Sequence, residues 1–206
     1  MYYTYSGCSN LTGSPVCGDN VTDMSGAYHN CSNLTGSPVC GNNVTNMSGA
    51  YSGCSNLTGS PVCGNNVTDM YSTYYNCSNL TGSPVCGDNV TSMAFTYSYC
   101  RNLTGSPVCG NNVTNMAFTY SGCRNLNAGT FYFRAKNITD IASCFYGKNN
   151  SRRYNIHVPA GSNTLNLIYN TTNAYSIVGD TITWTNSGQN FYNTKYNIYI
   201  YANSSL

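Results

Sequence analysis

The stretch CSNLTGSPVCGNNVTNMSGAYSG, Cys31 to Gly53, is followed at Cys54 by a near copy of itself, and this 23-residue unit keeps phase from Met1 into a sixth unit, which gains two residues before NITDI and runs to about residue 148. No other feature limits the fold as tightly. A period of this length belongs to solenoids, in which each unit is one supersecondary element that cannot bury its apolar side chains alone and must stack on its neighbours. Counting from the first cysteine, position 1 is Cys8, Cys31, Cys54, Cys77, Cys100 and Cys123. Leucine holds position 4 (Leu11 to Leu126), valine position 14 (Val21 to Val113, then Ile138), methionine position 17 (Met24 to Met116, then Ile141) and tyrosine position 21 (Tyr28 to Tyr120, then Phe145). These files are the expected core, each running from unit to unit.

Twenty-three residues are too few for two helices, and the spacers are rich in Gly, Pro, Asn, Ser and Thr, poor helix formers. Short strands and tight turns remain, and rungs spaced by about 4.8 Å would give six units a length of about 30 Å. The proline at position 8 (Pro15 to Pro107) donates no amide hydrogen bond, so TGSPV is expected to bend or bulge beside a short strand. CGDN and CGNN are expected to close each unit, since Gly and Asn tolerate left-handed backbone angles. The asparagines at position 3 (Asn10 to Asn125) are expected to stack and bond from unit to unit.

Asn43–Thr58, NVTNMSGAYSGCSNLT, resembles the BspA-type leucine-rich repeat in its NVTNMSxMFxxCxxLT variant, and the likeness recurs in register over about residues 1–148. The resemblance implies a β-rich, leucine-rich-repeat-like solenoid of about six 23-residue coils, of a kind found on bacterial surface proteins, mycoplasmal lipoproteins and proteins of gut-associated phages. The chain departs from the pattern where Ser-Pro replaces an apolar strand residue and where Ala-Tyr or Thr-Tyr replaces Met-Phe. A short or kinked concave strand follows. The family motif fixes no binding site, so no functional residue carries over.

The rhythm fails in the sixth unit, Cys123–Asn150, which loses the SPVCG block. Beyond it YNIHV, TITWT and YNIYIY alternate in strand fashion, and Gly179-Asp180 is expected to turn a hairpin. Residues 149–206 are therefore expected to form a C-terminal β cap or small β module after a repeat domain of residues 1–148, since an open apolar end needs covering. The N-terminus shows no such cap and is expected to meet a partner, another copy or further sequence. It carries no signal-peptide pattern, and no apolar run is long enough to span a membrane.

Only 7% of residues are charged and none is Glu. Residues 1–100 sum to −4 and residues 101–206 to +6, and the only adjacent basic pair is Arg152-Arg153, too sparse for a nucleic-acid face. His29 and His157 are isolated and the aspartates fall singly on a repeated turn, so no acid–base pair and no enzyme is expected. Of the twelve cysteines, Cys8 to Cys123 alternate at intervals of nine and fourteen, unlike paired zinc ligands, and Cys144 falls at a small-residue position of the repeat. They read as small buried hydrophobes, with disulfides the alternative in an oxidising compartment, and neither a metal site nor a cofactor is expected. The asparagines of the recurring NLT and NVT sequons read as structural, because a glycan on every rung would crowd the next.

What varies between units is the stretch after methionine, where Tyr71, Tyr75, Phe95, Tyr99 and Phe118 enter. It reads either as a permissive solvent-exposed turn or as an aromatic strip for sugars or protein partners, since tyrosine gives contact area at low entropic cost. Tyr192, Tyr196, Tyr199 and Tyr201 make a similar case in the terminal module. The expected function is non-enzymatic recognition at an extracellular bacterial surface or on a virion, as adhesin or phage fibre component, binding cell-surface glycans or proteins. A structural subunit assembling through the N-terminal end is the alternative. Ice binding by the file Thr12, Thr35, Thr58, Thr81 and Thr104 ranks below both.

Overall fold

The computed structural model describes residues 1–126, 130–147, 153–170, 175–178, 181–184 and 197–206. It is β-rich, with an open and largely parallel sheet and one short helix among these residues. Successive repeats lie in parallel register on one another. Position 16 carries the running bridge, from Asp23 to Asn46, Asp69, Ser92, Asn115 and Asp140. Asp and Asn are poor strand residues, but here each side chain also folds over the next turn. Asp23 Oδ1 accepts the Ser25 amide at 2.7 Å, Asn46 Oδ1 that of Ser48 at 2.9 Å and Asp69 Oδ1 that of Tyr71 at 2.8 Å, the Asx turn these residues favour. Beside them, each position-15 threonine from Thr45 on gives its amide, at 2.8 Å, and its hydroxyl, at 3.1–3.2 Å, to the preceding repeat's threonine carbonyl.

Positions 17 to 23 form a ribbon that is neither helix nor strand. In one repeat the amides of Met47, Gly49, Tyr51 and Gly53 donate forward to the carbonyls of Asp69, Tyr71, Thr73 and Tyr75 at 2.8–3.0 Å. The alternate amides of Ala50, Ser52 and Cys54 close local turns onto the carbonyls of Met47, Gly49 and Tyr51. Every backbone donor is thus used, half within the repeat and half between repeats. Positions 19 and 23 are left-handed throughout (Gly49 φ 62°, Gly53 φ 78°), and a left-handed residue every four positions prevents the ribbon from winding into a helix. Its inward residues still fall three and four apart: Met47, Ala50, Tyr51, Cys54 and Leu57, all fully buried.

Two ladders hold this core together. Tyr5, Tyr28, Tyr51, Tyr74, Tyr97 and Tyr120 stack with ring centroids 5.2–5.8 Å apart and planes within 15°. The thiols of Cys31, Cys54, Cys77, Cys100 and Cys123 donate to the preceding repeat's tyrosine carbonyl at 2.8–3.0 Å. The expected asparagine stack is present, with Asn102 Nδ2 on Asn79 Oδ1 at 3.4 Å and Asn125 Nδ2 on Asn102 Oδ1 at 3.3 Å.

One expectation is corrected. The CGDN and CGNN turns do form, with Val21 and Val44 amides on Gly18 and Gly41 carbonyls, but their glycines are not among the left-handed ones. The glycine is needed for close stacking: a Cβ on Gly41 would stand 2.9 Å from Cys17 Sγ, and one on Gly110 2.8 Å from the Gly87 carbonyl carbon. The left-handed glycine of this half of the repeat is that of TGS, as at Gly36 (φ 81°).

Toward the C-terminus the last SPVC segment becomes a strand. β1 (Val108–Cys109) pairs in parallel with β2 (Thr130–Phe133), β2 with β3 (Arg153–Pro159) and β3 with β6 (Asn197–Asn203). β5 (Thr181–Trp184) runs antiparallel to β6, and β4 (Tyr175–Val178) antiparallel to β5, while Gly179-Asp180 lies outside the described residues. Phe131, Phe133, Ile156 and Val158 are buried, so this sheet continues the repeat core. The helix α1 (Asn163–Asn170) was not anticipated. Ser162 caps it, its Oγ accepting the Leu165 amide at 3.1 Å, and Thr164 pins it to the sixth unit by donating to the Ala135 carbonyl at 2.7 Å.

Candidate functional site

The ribbon places the five aromatic residues singled out by sequence into two groups. Phe95 and Phe118 share position 19 of adjacent repeats and stack at 4.7 Å, with Tyr71 edge-on to Phe95 at 5.9 Å. Tyr75 meets Tyr99 edge-on at 5.8 Å. Tyr71, Tyr75 and Tyr99 are exposed and the two phenylalanines half-buried.

Three of these five sit where an aromatic side chain is disfavoured. Phe95 (φ 57°), Phe118 (φ 55°) and Tyr99 (φ 61°) occupy left-handed positions that other repeats fill with Gly26, Gly49, Gly53 and Asn30. Each costs about 1 kcal/mol of backbone strain. A side chain at such a position leans over the same position of the next repeat. Tyr99 lies on Gly122, where a Cβ would be 2.8 Å from its ring, and Tyr3 lies on Gly26 in the same way. Sequence reading missed Tyr2, Tyr3 and Tyr146, which are exposed on the same ribbon; their phase at positions 18, 19 and 22 was the available signal.

On another face stand the copied SPVC segments. Tyr51 Oη donates to the Val39 carbonyl at 2.7 Å and accepts the Val39 amide at 3.2 Å, and Tyr28 and Tyr74 hold Val16 and Val62 alike. Between these rungs lies an open groove of about 420 Å³ lined by Pro38, Val39, Cys40, Val62, Cys63 and Gly64 among others. Cys17, Cys40 and Cys63 are half-buried here, whereas Cys86 and Cys109 are buried.

All twelve cysteines are free thiols. Burial pushes the Cys40 thiol up to about 11 and that of Cys54 up to about 12, so neither is a ready nucleophile or ligand. Among the described residues no three His, Cys, Asp or Glu side chains are placed to hold a metal ion. Burial also lowers the His157 pKa; its Nδ1 lies 3.3 Å from Asn203 Nδ2 and its ring 5.2 Å from that of Tyr132. Tyr199 and Tyr201 pair in register with Asn155 and His157, while Tyr192 and Tyr196 lie outside the described residues. The sequon asparagines are exposed, but Asn43, Asn66 and Asn89 give their side-chain amides to the preceding repeat's carbonyls at 2.8–2.9 Å. No described helix is long and apolar enough to cross a membrane.

Residues 17–104 match the model of a family described as a Mycoplasma protein of unknown function, DUF285. This match is compatible with BspA-type repeats. No curated protein and no solved structure matches the chain.

Proposed function

We propose that the chain is a non-enzymatic recognition protein of an extracellular surface, a bacterial adhesin or phage fibre component, which binds cell-surface glycans or proteins. In this reading the repeats are a BspA-like solenoid of about six coils, residues 1–148, closed by a C-terminal β cap, residues 149–206. The aromatic ribbon of Tyr71, Tyr75, Phe95, Tyr99 and Phe118 is its binding surface. One observation carries the assignment: Phe95, Phe118 and Tyr99 stand in left-handed positions where other repeats have small residues such as Gly26, Gly49, Ser72 and Gly53 or the asparagines Asn30 and Asn76. Backbone strain held at the surface is the kind of cost that function maintains. The near-absence of charge suits ligands recognised by stacking and neutral hydrogen bonds.

The test is binding of the labelled chain to a panel of bacterial cells and purified polysaccharides. Saturable binding that one defined sugar or surface protein competes away is the expected result. A folded chain that binds none of them overturns the reading in favour of a structural subunit.

A further inference from the structure

The SPVC segment has two alternative sets of partners, and the structure contains both. In the repeats of Val16, Val39 and Val62 a tyrosine hydroxyl holds the valine amide and carbonyl. At Val108 the neighbouring rung holds them: its amide donates to the Pro84 carbonyl at 3.1 Å, and its carbonyl accepts the Cys86 amide at 3.1 Å. The change is graded. Tyr97 keeps only the Val85 carbonyl, at 3.2 Å, while Val85 already bridges to Val108. The Tyr120 hydroxyl is buried and has no hydrogen-bond partner among the described residues. Thiol burial follows the same boundary, with Cys86 and Cys109 buried beside the ladder and Cys17, Cys40 and Cys63 partly open beyond it.

We propose that this boundary is movable: the parallel ladder that begins in the C-terminal sheet advances toward the N-terminus by displacing one tyrosine hydroxyl per repeat, closing the groove beside Val39 and Val62. Both arrangements satisfy the same two backbone groups of each valine. They therefore exchange one set of hydrogen bonds for another, the condition for a bistable element. The buried, partnerless Tyr120 hydroxyl is the mark left where the ladder has passed. The next step joins the Cys63 amide to the Val85 carbonyl and the Val85 amide to the Pro61 carbonyl. It also brings Cys63 into the setting of Cys86.

The test is Tyr97→Phe in the full chain, which removes the hydroxyl holding the Val85 carbonyl. Native-state alkylation, read by mass spectrometry, should show Cys63 protected at least tenfold relative to the parent chain while Cys17 is unchanged. In Tyr120→Phe, which removes no such contact, Cys63 should alkylate as in the parent. Unchanged or faster Cys63 alkylation in folded Tyr97→Phe overturns the proposal. Should that variant not fold, amide exchange in the parent chain decides: protection should fall stepwise from Cys109 to Cys86 to Cys63. Uniform protection over the three overturns the proposal.

Discussion

Tyr120 follows Val108 by the same twelve residues that separate Tyr51 from Val39, yet its hydroxyl holds neither the Val108 amide nor its carbonyl. Removing the two hydroxyls should therefore act in opposite directions. Tyr51→Phe strands two backbone groups of Val39 and should cost about 1–3 kcal/mol. Tyr120→Phe removes an unsatisfied buried group and should be neutral or stabilising by about 1 kcal/mol. Urea denaturation of both variants checks the pair, and equal losses would contradict the assignment.

Two glycines separate conformational freedom from packing. A Cβ on Gly49 meets nothing within 4 Å, so Gly49→Ala should cost only the left-handed backbone penalty, about 1 kcal/mol. A Cβ on Gly110 would enter the backbone of Gly87, and Gly110→Ala should cost about 2–3 kcal/mol through displaced stacking. Thermal midpoints should fall in that order.

Alkaline pH should weaken the fold from within. Burial raises the Cys54 thiol from its ordinary 9.0 to about 12 and the Cys40 thiol to about 11, and it raises the Tyr28 phenol above 10.0. The native state therefore keeps protons that the unfolded chain releases. This stability is fully present below about pH 9 and is lost as pH rises through the folded values, by up to about 1.4 kcal/mol per pH unit for each such group. Urea midpoints should be flat between about pH 6 and 8 and decline from about pH 9; a midpoint unchanged at high pH would contradict the burial of these ladders.

Phe95→Asn and Phe118→Asn divide folding from recognition. Asparagine relieves about 1 kcal/mol of left-handed strain and forfeits about 0.5–1.5 kcal/mol of ring contact. Stability should then stay within about 1 kcal/mol of the parent. Binding to the cell or polysaccharide target should fall about tenfold or more, as when a contact anchor is removed. Binding that survives both changes would place the recognition surface elsewhere.

The buried files at positions 1, 4, 14, 17 and 21 were legible because their spacing alone demands stacking. The ribbon was not. Met47, Ala50, Tyr51, Cys54 and Leu57 follow a helical spacing, while glycines and asparagines at positions 19 and 23 forbid a helix, and only cross-repeat hydrogen bonds resolve the conflict. The bridge at position 16 was hidden by the polarity of Asp23, Asn46 and Asp69, whose value lies in their Asx turns. The aromatic residues were visible as variation. That Phe95, Phe118 and Tyr99 are strained became visible only from backbone angles, since nothing in a phenylalanine's neighbours announces a positive φ.

The ribbon has an electrical consequence. The carbonyl of Asp69 accepts from Met47, and the amide of Met70, in the same peptide unit, donates to Ser92. That unit, and those at the next three alternate positions of the repeat, therefore point along the stacking direction and join head to tail from repeat to repeat. Four parallel files of peptide dipoles result, summing as in a helix, with the negative end toward residue 1 and the positive end toward the terminal sheet. The ionised side chains of the repeats do not oppose this field: the first hundred residues sum to −4, while Arg101, Arg124, Arg134, Lys136 and Asp140 bring residues 101–147 to +3, in the same sense. The molecule is a dipole along its own repeat axis, and a charged surface will meet it end first.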